Sequence, residues 1–185
     1  MNPGPVWLIS GVPGAGKTSV ARALCARFAR ALHIPVDDLR DFVVSGRGNP
    51  LIPMTAETKL QFRLSWAVAA TMAARYADEG FVVVIDDVVP RWGLEVYERA
   101  LGDRALRKVL LAPALEIALE RNSRRKDKPF DPGILVPAIK NLHPSLLSGG
   151  AGWLVLDSSR MTIDETVAAV LDGFERTGDS RPSSA

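Results

Sequence analysis

Residues Gly11, Val12, Pro13, Gly14, Ala15, Gly16, Lys17 and Thr18 spell the spacing G-x-x-x-x-G-K-S/T. They sit between the apolar run Val6-Trp7-Leu8-Ile9-Ser10 and a segment of helical periodicity. Strand, glycine-rich loop and helix in that order are what a phosphate loop requires. Glycines let the backbone curl until several N–H groups point inward, and the positive end of the following helix adds favourable partial charge. The concavity that results holds an anion. Lys17 would reach the β- and γ-phosphates of a nucleoside triphosphate as a mobile charge, which makes it a catalytic as well as a binding candidate. The Thr18 hydroxyl would complete the coordination of a bridging Mg2+, and Ser19 closes the set of nucleotide-binding candidates.

Asp86 ends the run Phe81-Val82-Val83-Val84-Ile85. A carboxylate there, beside a phosphate loop, is placed to hold the metal directly or through water; a turn or helix-capping aspartate is the plain alternative. Asp87 either faces the acceptor or caps the segment from Pro90. Asp37 and Asp38 follow His33-Ile34-Pro35-Val36, at the strand end where open α/β sheets bind ligands. Asp37 is the candidate general base, because phosphoryl transfer to a hydroxyl needs a carboxylate that orients the acceptor and takes its proton late. The same pair suits capping of a short helix through Leu39 and Phe42, and one aspartate can cap while its neighbour faces the cleft. Arg121, Arg124, Arg125 and Lys126 form a basic cluster before a proline-bounded segment. It reads either as a solvated helix end or as a closing lid that brings arginines over the γ-phosphate. Arg121 and Arg125, four residues apart, are expected on one helix face; the choice among the arginines stays open, with Arg125 the catalytic candidate. His33 and His143 have no metal-ligand spacing and are assigned structural roles. Arg63 and Trp66 belong either to an acceptor pocket or to the core boundary.

These groups need a scaffold. Residues 18–32 place Val20, Leu24, Phe28 and Leu32 at helical spacing, and 33–36 form a short strand that Pro35 confines to an edge. Residues 45–53, with two glycines and two prolines, predict a flexible loop that covers substrate. A long helix follows over 56–79, with Leu60, Leu64, Val68, Met72 and Tyr76 every fourth residue and Gly80 as its stop. Further strands are expected at 81–85, 107–111 and 153–156. Helices are expected at 94–101, 115–125, 134–147 with an interruption at Pro137, and 162–174 with Thr162 capping it three residues before Glu165. Strands alternating with helices predict an α/β three-layer P-loop NTPase fold, a five-stranded parallel sheet in the kinase order 2-3-1-4-5 with helices on both faces. Residues 1–176 read as one domain with a lid near 121–133, and 177–185 as a disordered tail.

At 185 residues and 47% hydrophobic content there is room for one sizeable core. A net charge of +2 gives no argument for nucleic acid or membrane as partner. Cys25 is the only cysteine, so no internal disulfide forms, and its helical setting indicates packing. The opening residues have no basic segment ahead of the apolar run, so the expectation is a cytoplasmic protein without a signal peptide. The sequence leaves monomer against homodimer undecided.

The segments GVPGAGKT, PVDDL, QFR, VVVIDDV, ERNSRRKD and WLVLDSS, in this order, resemble the small P-loop kinases typified by chloramphenicol phosphotransferase and, more distantly, zeta-toxin-type kinases. The resemblance covers roughly residues 6 to 172. It implies ATP- and Mg2+-dependent phosphorylation of a hydroxyl on a small molecule, antibiotic-like or metabolite, with Asp37 as base, Lys17 and Thr18 on phosphate and magnesium, and Arg121 on ATP. Two other functions compete with it. One is a nucleotide-dependent switch or regulatory ATPase, weakened by the absence of D-x-x-G and N-K-x-D elements; the other is a nucleotide or sugar-nucleotide kinase.

Overall fold

The computed structural model describes residues 2–51, 53–125, 131–148 and 152–176. Five parallel strands, β1 (Val6–Ser10), β2 (Ala31–Pro35), β3 (Val82–Asp87), β4 (Leu106–Leu111) and β5 (Leu154–Leu156), lie in the order β2-β3-β1-β4-β5. This is the expected topology. β1 and β3 are buried at every position, which is why they read as unbroken apolar runs without alternation. Alternation survives in which face each side chain serves. Trp7, Ile9, Val82 and Val84 pack with α1 (Lys17–Cys25) and α7 (Ile163–Glu175), whereas Leu8, Val83 and Ile85 pack with α3 (Ala56–Asp78) and α4 (Arg91–Leu101). The register sets Ile9 beside Asp86 and Ser10 beside Asp87, so the loop after β1 emerges next to both carboxylates.

Several elements differ from expectation for local reasons. The helix expected over 18–32 ends at Cys25, because Ala31–Pro35 are already extended in β2, with Arg30 O accepting from Val82 N. Cys25 lies in that last turn, and burial pushes its thiol up to about 11, so it is held as the unreactive thiol. Val36 opens α2 (Val36–Asp41) and does not end a strand; Asp37 and Asp38 occupy its first turn, where negative charge is favoured. α5 (Leu115–Ser123) stops two residues short of Arg125, so Arg121 and Arg125 do not share a helix face. Pro137 does not interrupt a helix. It lies in the first turn of α6 (Val136–Ser148), where a missing N–H is harmless, after a 3-10 turn at Pro132–Leu135 that Asp131 caps through Gly133 N. The capping box of α7 is present as expected: Thr162 accepts from Glu165 N, and the Glu165 carboxylate accepts from Thr162 N.

α3 buries the face opposite to its leucine stripe. Phe62, Trp66, Ala69, Ala70, Ala73 and Ala77 are buried, while Leu60 is 40%, Leu64 55% and Val68 53% exposed. A strict four-residue repeat advances 400° per step, so the stripe rotates about 40° each time and spirals off any one face. The small alanines let α3 lie close to the sheet, with one large indole, Trp66, filling the remaining space. Among the described residues no helix is long and apolar enough to cross a membrane. Residues 126–130 of the expected lid, Lys126 among them, and the tail 177–185 lie outside the described residues.

Candidate active site

The loop after β1 is shaped by its glycines and by what packs behind them. Ala15 N donates to Val12 O at 3.0 Å, which tightens the turn. Gly14 has φ +84, and a Cβ there would lie 2.1 Å from Ala118 O, because the backbone of α5 rests directly on the loop. Val12 and Ala15 are buried in the core, so they offer a ligand only backbone groups. Gly16, left-handed at φ 92, precedes α1, which has neither a side-chain cap nor an acidic residue in its first turn. The N–H groups at that helix end therefore point to an open mouth lined by exposed Gly16, Thr18 and Ser19. Lys17 Nζ donates to Val12 O at 3.3 Å. Burial lowers the pKa of its ammonium, and the carboxylates of Asp86, Asp37 and Asp87 oppose that shift.

The register of β1 on β3 brings Thr18 to Asp86. Thr18 Oγ1 donates to Asp86 Oδ1 at 3.3 Å. The other oxygen, Asp86 Oδ2, is 2.5 Å from His33 Nε2, which reaches across from β2. One hydroxyl and one buried carboxylate are the hard oxygen donors that suit Mg2+, an ion that keeps much of its shell as water and phosphate oxygen. His33, expected to be structural, lies against the carboxylate of the candidate metal ligand. The sequence offers no signal for that contact, since 53 residues separate the two side chains. His143, by contrast, lies within hydrogen-bond distance of Pro113 O and stays structural.

Beyond the phosphate loop the cleft opens into a cavity of about 420 Å3. Lys17, Asp37, Asp87 and Arg125 all line it. Asp38 is exposed and is not among the lining residues, so the structure separates the two adjacent aspartates. Asp37 forms an ion pair with Arg40, one turn on in α2, and the Arg40 guanidinium lies 4.1 Å over the Phe62 ring. Asp87 does not cap the segment from Pro90. It accepts from Trp66 Nε1 and from Val88 N at 2.7 Å, and faces the cavity. Burial, reinforced by the charge of Asp37, pushes its carboxyl up to about 7. Of the two residues left open on α3, Trp66 lines the cavity and Arg63 is exposed outside it.

The arginines divide. Arg121 donates to Ser158 O at 3.0 Å and to Ser159 O at 3.2 Å, gripping the turn after β5. It is not among the residues that line the cavity. Arg124 pairs with Glu120 on the surface. Arg125, past the end of α5, enters the cavity and lies close enough to Lys17 to lower its pKa further. The loop expected to cover substrate is tied to α3: Gln61 Nε2 donates to Gly46 O and Gln61 Oε1 accepts from Gly48 N, both at 2.8 Å, while Thr58 Oγ1 donates to Asn49 O. The apolar walls of the cavity, Met54, Trp92, Ile134, Leu135 and Leu142, carry no motif and were not foreseen.

Residues 6–135 match the family model described as AAA domain. No curated protein matches the chain at a significant level. Solved structures with the same fold include a sugar kinase from Janibacter sp. (TM-score 0.68, 19% identity, 94% of this chain and 95% of that chain). A gluconokinase from Sinorhizobium meliloti 1021 aligns with TM-score 0.64 at 20% identity over 95% of this chain and 94% of that chain. Shikimate kinase from Acinetobacter baumannii, in complex with shikimate, aligns with TM-score 0.62 at 19% identity over 95% of this chain and 96% of that chain.

Proposed function

This chain belongs to the AAA domain family, and we propose that it is an ATP-dependent kinase that moves the γ-phosphoryl group to a hydroxyl of a small molecule. The observation that carries this reading is one cavity, continuous with the phosphate loop, into which Lys17, Asp37 and Arg125 all face. In the proposed reaction the loop backbone and the start of α1 hold the polyphosphate, and Thr18 and Asp86 hold Mg2+. The metal, when bound, neutralises charge on the phosphate oxygens. Asp37 orients the acceptor O–H and receives its proton as the new O–P bond forms and the bond to the β-phosphate oxygen breaks, releasing ADP. Lys17 and Arg125 balance the charge spread over the transferred group. Residues 1–176 then act as one catalytic domain with a lid around 121–133, and the closest analogy of action is to the chloramphenicol phosphotransferase type.

Asp37→Asn tests the assignment, because it keeps the shape of the side chain and removes its basicity. The expected result is a fall in kcat of about a hundredfold, with the Kd for MgATP unchanged. Equal kcat in the variant would remove Asp37 from the reaction.

A further inference from the structure

We propose that the acceptor is an amino alcohol, which brings a hydroxyl to Asp37 and a protonated amine to Asp87. This rests on the kinase reading above and names the chemistry of the molecule that shares the cavity with the nucleotide. The charges on the cavity wall carry the argument. Of the three carboxylates that line it among the described residues, Asp37 forms an ion pair with Arg40 and Asp41 with Arg47. Lys17 and Arg125, in the reading above, serve the transferred phosphoryl group. Asp87 is left. It is 4% exposed and has no ion pair among the described residues. Its hydrogen bonds come from two neutral donors, Trp66 Nε1 to one oxygen and Val88 N to the other. A carboxylate has about four acceptor sites, so each oxygen keeps room for a further donor. A buried anion with neutral partners alone is costly, and a cation that enters with the ligand offsets that cost.

The alternatives fit the same wall less well. An anionic acceptor would have to take Arg40 from Asp37 or Arg47 from Asp41, and would meet the charge of Asp87 besides. Arg40 Nε is a donor without a protein partner, but the atom is buried and is not presented to a ligand. A neutral acceptor leaves the Asp87 charge uncompensated. The aromatic residues around Asp87 favour a cation independently. Trp66 and Trp92 line the same cavity, with ring centroids 4.5 Å apart, and the indole is the aromatic surface that attracts cations best. Trp92 is 37% exposed, so part of its side chain is open to a ligand. Trp66 is backed by α4: a Cβ on Gly93 would lie 2.8 Å from its ring, so glycine is what lets the indole sit where Nε1 meets Asp87.

The test uses three benzyl alcohols that share a ring and a hydroxyl and differ only in the para substituent: aminomethyl, hydroxymethyl or carboxylate. Each is titrated calorimetrically into wild type with Mg2+ and a non-hydrolysable ATP analogue, and each is assayed for ADP release with ATP. The pH is 8, where Asp87, raised to about 7, is ionised and the benzylic amine is protonated. Asp87→Asn and Trp92→Leu are run alongside; the second is at a partly exposed position, and the wild-type ranking needs neither. The aminomethyl compound is expected to bind about tenfold more tightly than its hydroxymethyl twin, and the carboxylate weakest of the three. Asp87→Asn is expected to bring the first two within about twofold of each other, and Trp92→Leu to narrow their gap about threefold. A wild type that binds the three equally, prefers the neutral or the anionic compound, or binds none overturns the inference. An Asp87→Asn variant that keeps the preference for the amine overturns it too, as does one that changes only the Mg2+ requirement of nucleotide binding. ADP release with the diol or the carboxylate and not with the amine overturns the inference and leaves the kinase reading standing. Preferential binding of the amine that Asp87→Asn abolishes, without ADP release from any compound, supports the inferred amine site and counts against the kinase reading.

Discussion

The phosphate-loop end of the cleft is made by consecutive residues, Gly11 to Thr18, while the proposed acceptor end is lined by side chains from α2, the loop after it, α3, α4 and α6. The first is polar, open and held from behind by α5; the second is a slot with apolar walls and paired charges. A nucleotide is the same molecule in every kinase, so a local backbone shape suffices to bind it. An acceptor differs from enzyme to enzyme, and its site is built from whichever side chains distant segments bring together. The two ends meet where β1 and β3 run side by side, at Lys17, Asp86 and Asp87.

Variants on either side of that junction separate the two ends. Lys17→Ala removes the charge proposed to face the γ-phosphate, and turnover is expected to fall by about a thousandfold or more, while calorimetric binding of the acceptor in the absence of nucleotide stays within about twofold. A parallel loss at both ends would mean that they are not separable. Gly14→Ala attacks the support of the phosphate end: a left-handed alanine pressed on Ala118 O is expected to lower stability by about 3 kcal/mol in denaturant unfolding. An unchanged midpoint would show that α5 yields easily.

His33→Gln probes the contact that links β2 to the metal end. With its imidazole gone, the Asp86 carboxylate is less well oriented, and the Mg2+ concentration needed for half-maximal ATP binding is expected to rise about tenfold, with metal-free ATP binding unchanged. Equal Mg2+ dependence would return His33 to a packing role. The smallest effect is expected outside the cleft. Leu64→Glu, on the exposed stripe of α3, should change stability by less than about 0.5 kcal/mol, whereas a core leucine changed in this way would cost several times more. A large loss by chemical denaturation would mean that the stripe is covered in solution.

Much of the frame was legible because its signals are local. Apolar runs mark β1 and β3, Thr162 and Glu165 mark the start of α7, and the glycine spacing marks the anion nest. The errors have local causes as well. Periodicity alone carried the first helix past Cys25 into residues that pair with β3, and the leucine stripe of α3 outweighed its alanines although the alanines are what permit close packing. At the candidate site, the place of Asp37 after a strand was legible, but that it and not Asp38 lines the cavity depends on one step of helix rotation in α2.

The sequence by itself determined the phosphate loop, the order of strands and helices, and two carboxylate positions at strand ends, since each depends on neighbours within a few residues. Only the tertiary structure decided that His33 meets Asp86, that Trp66 holds Asp87, that Arg125 and not Arg121 lines the cavity, and that apolar side chains from α3, α4 and α6 line it together. Those are contacts across 21 to 53 residues or more, and no spacing rule reaches so far. They exist because the parallel sheet fixes which strand ends lie together, and helix packing on its two faces then fixes which side chains those ends receive.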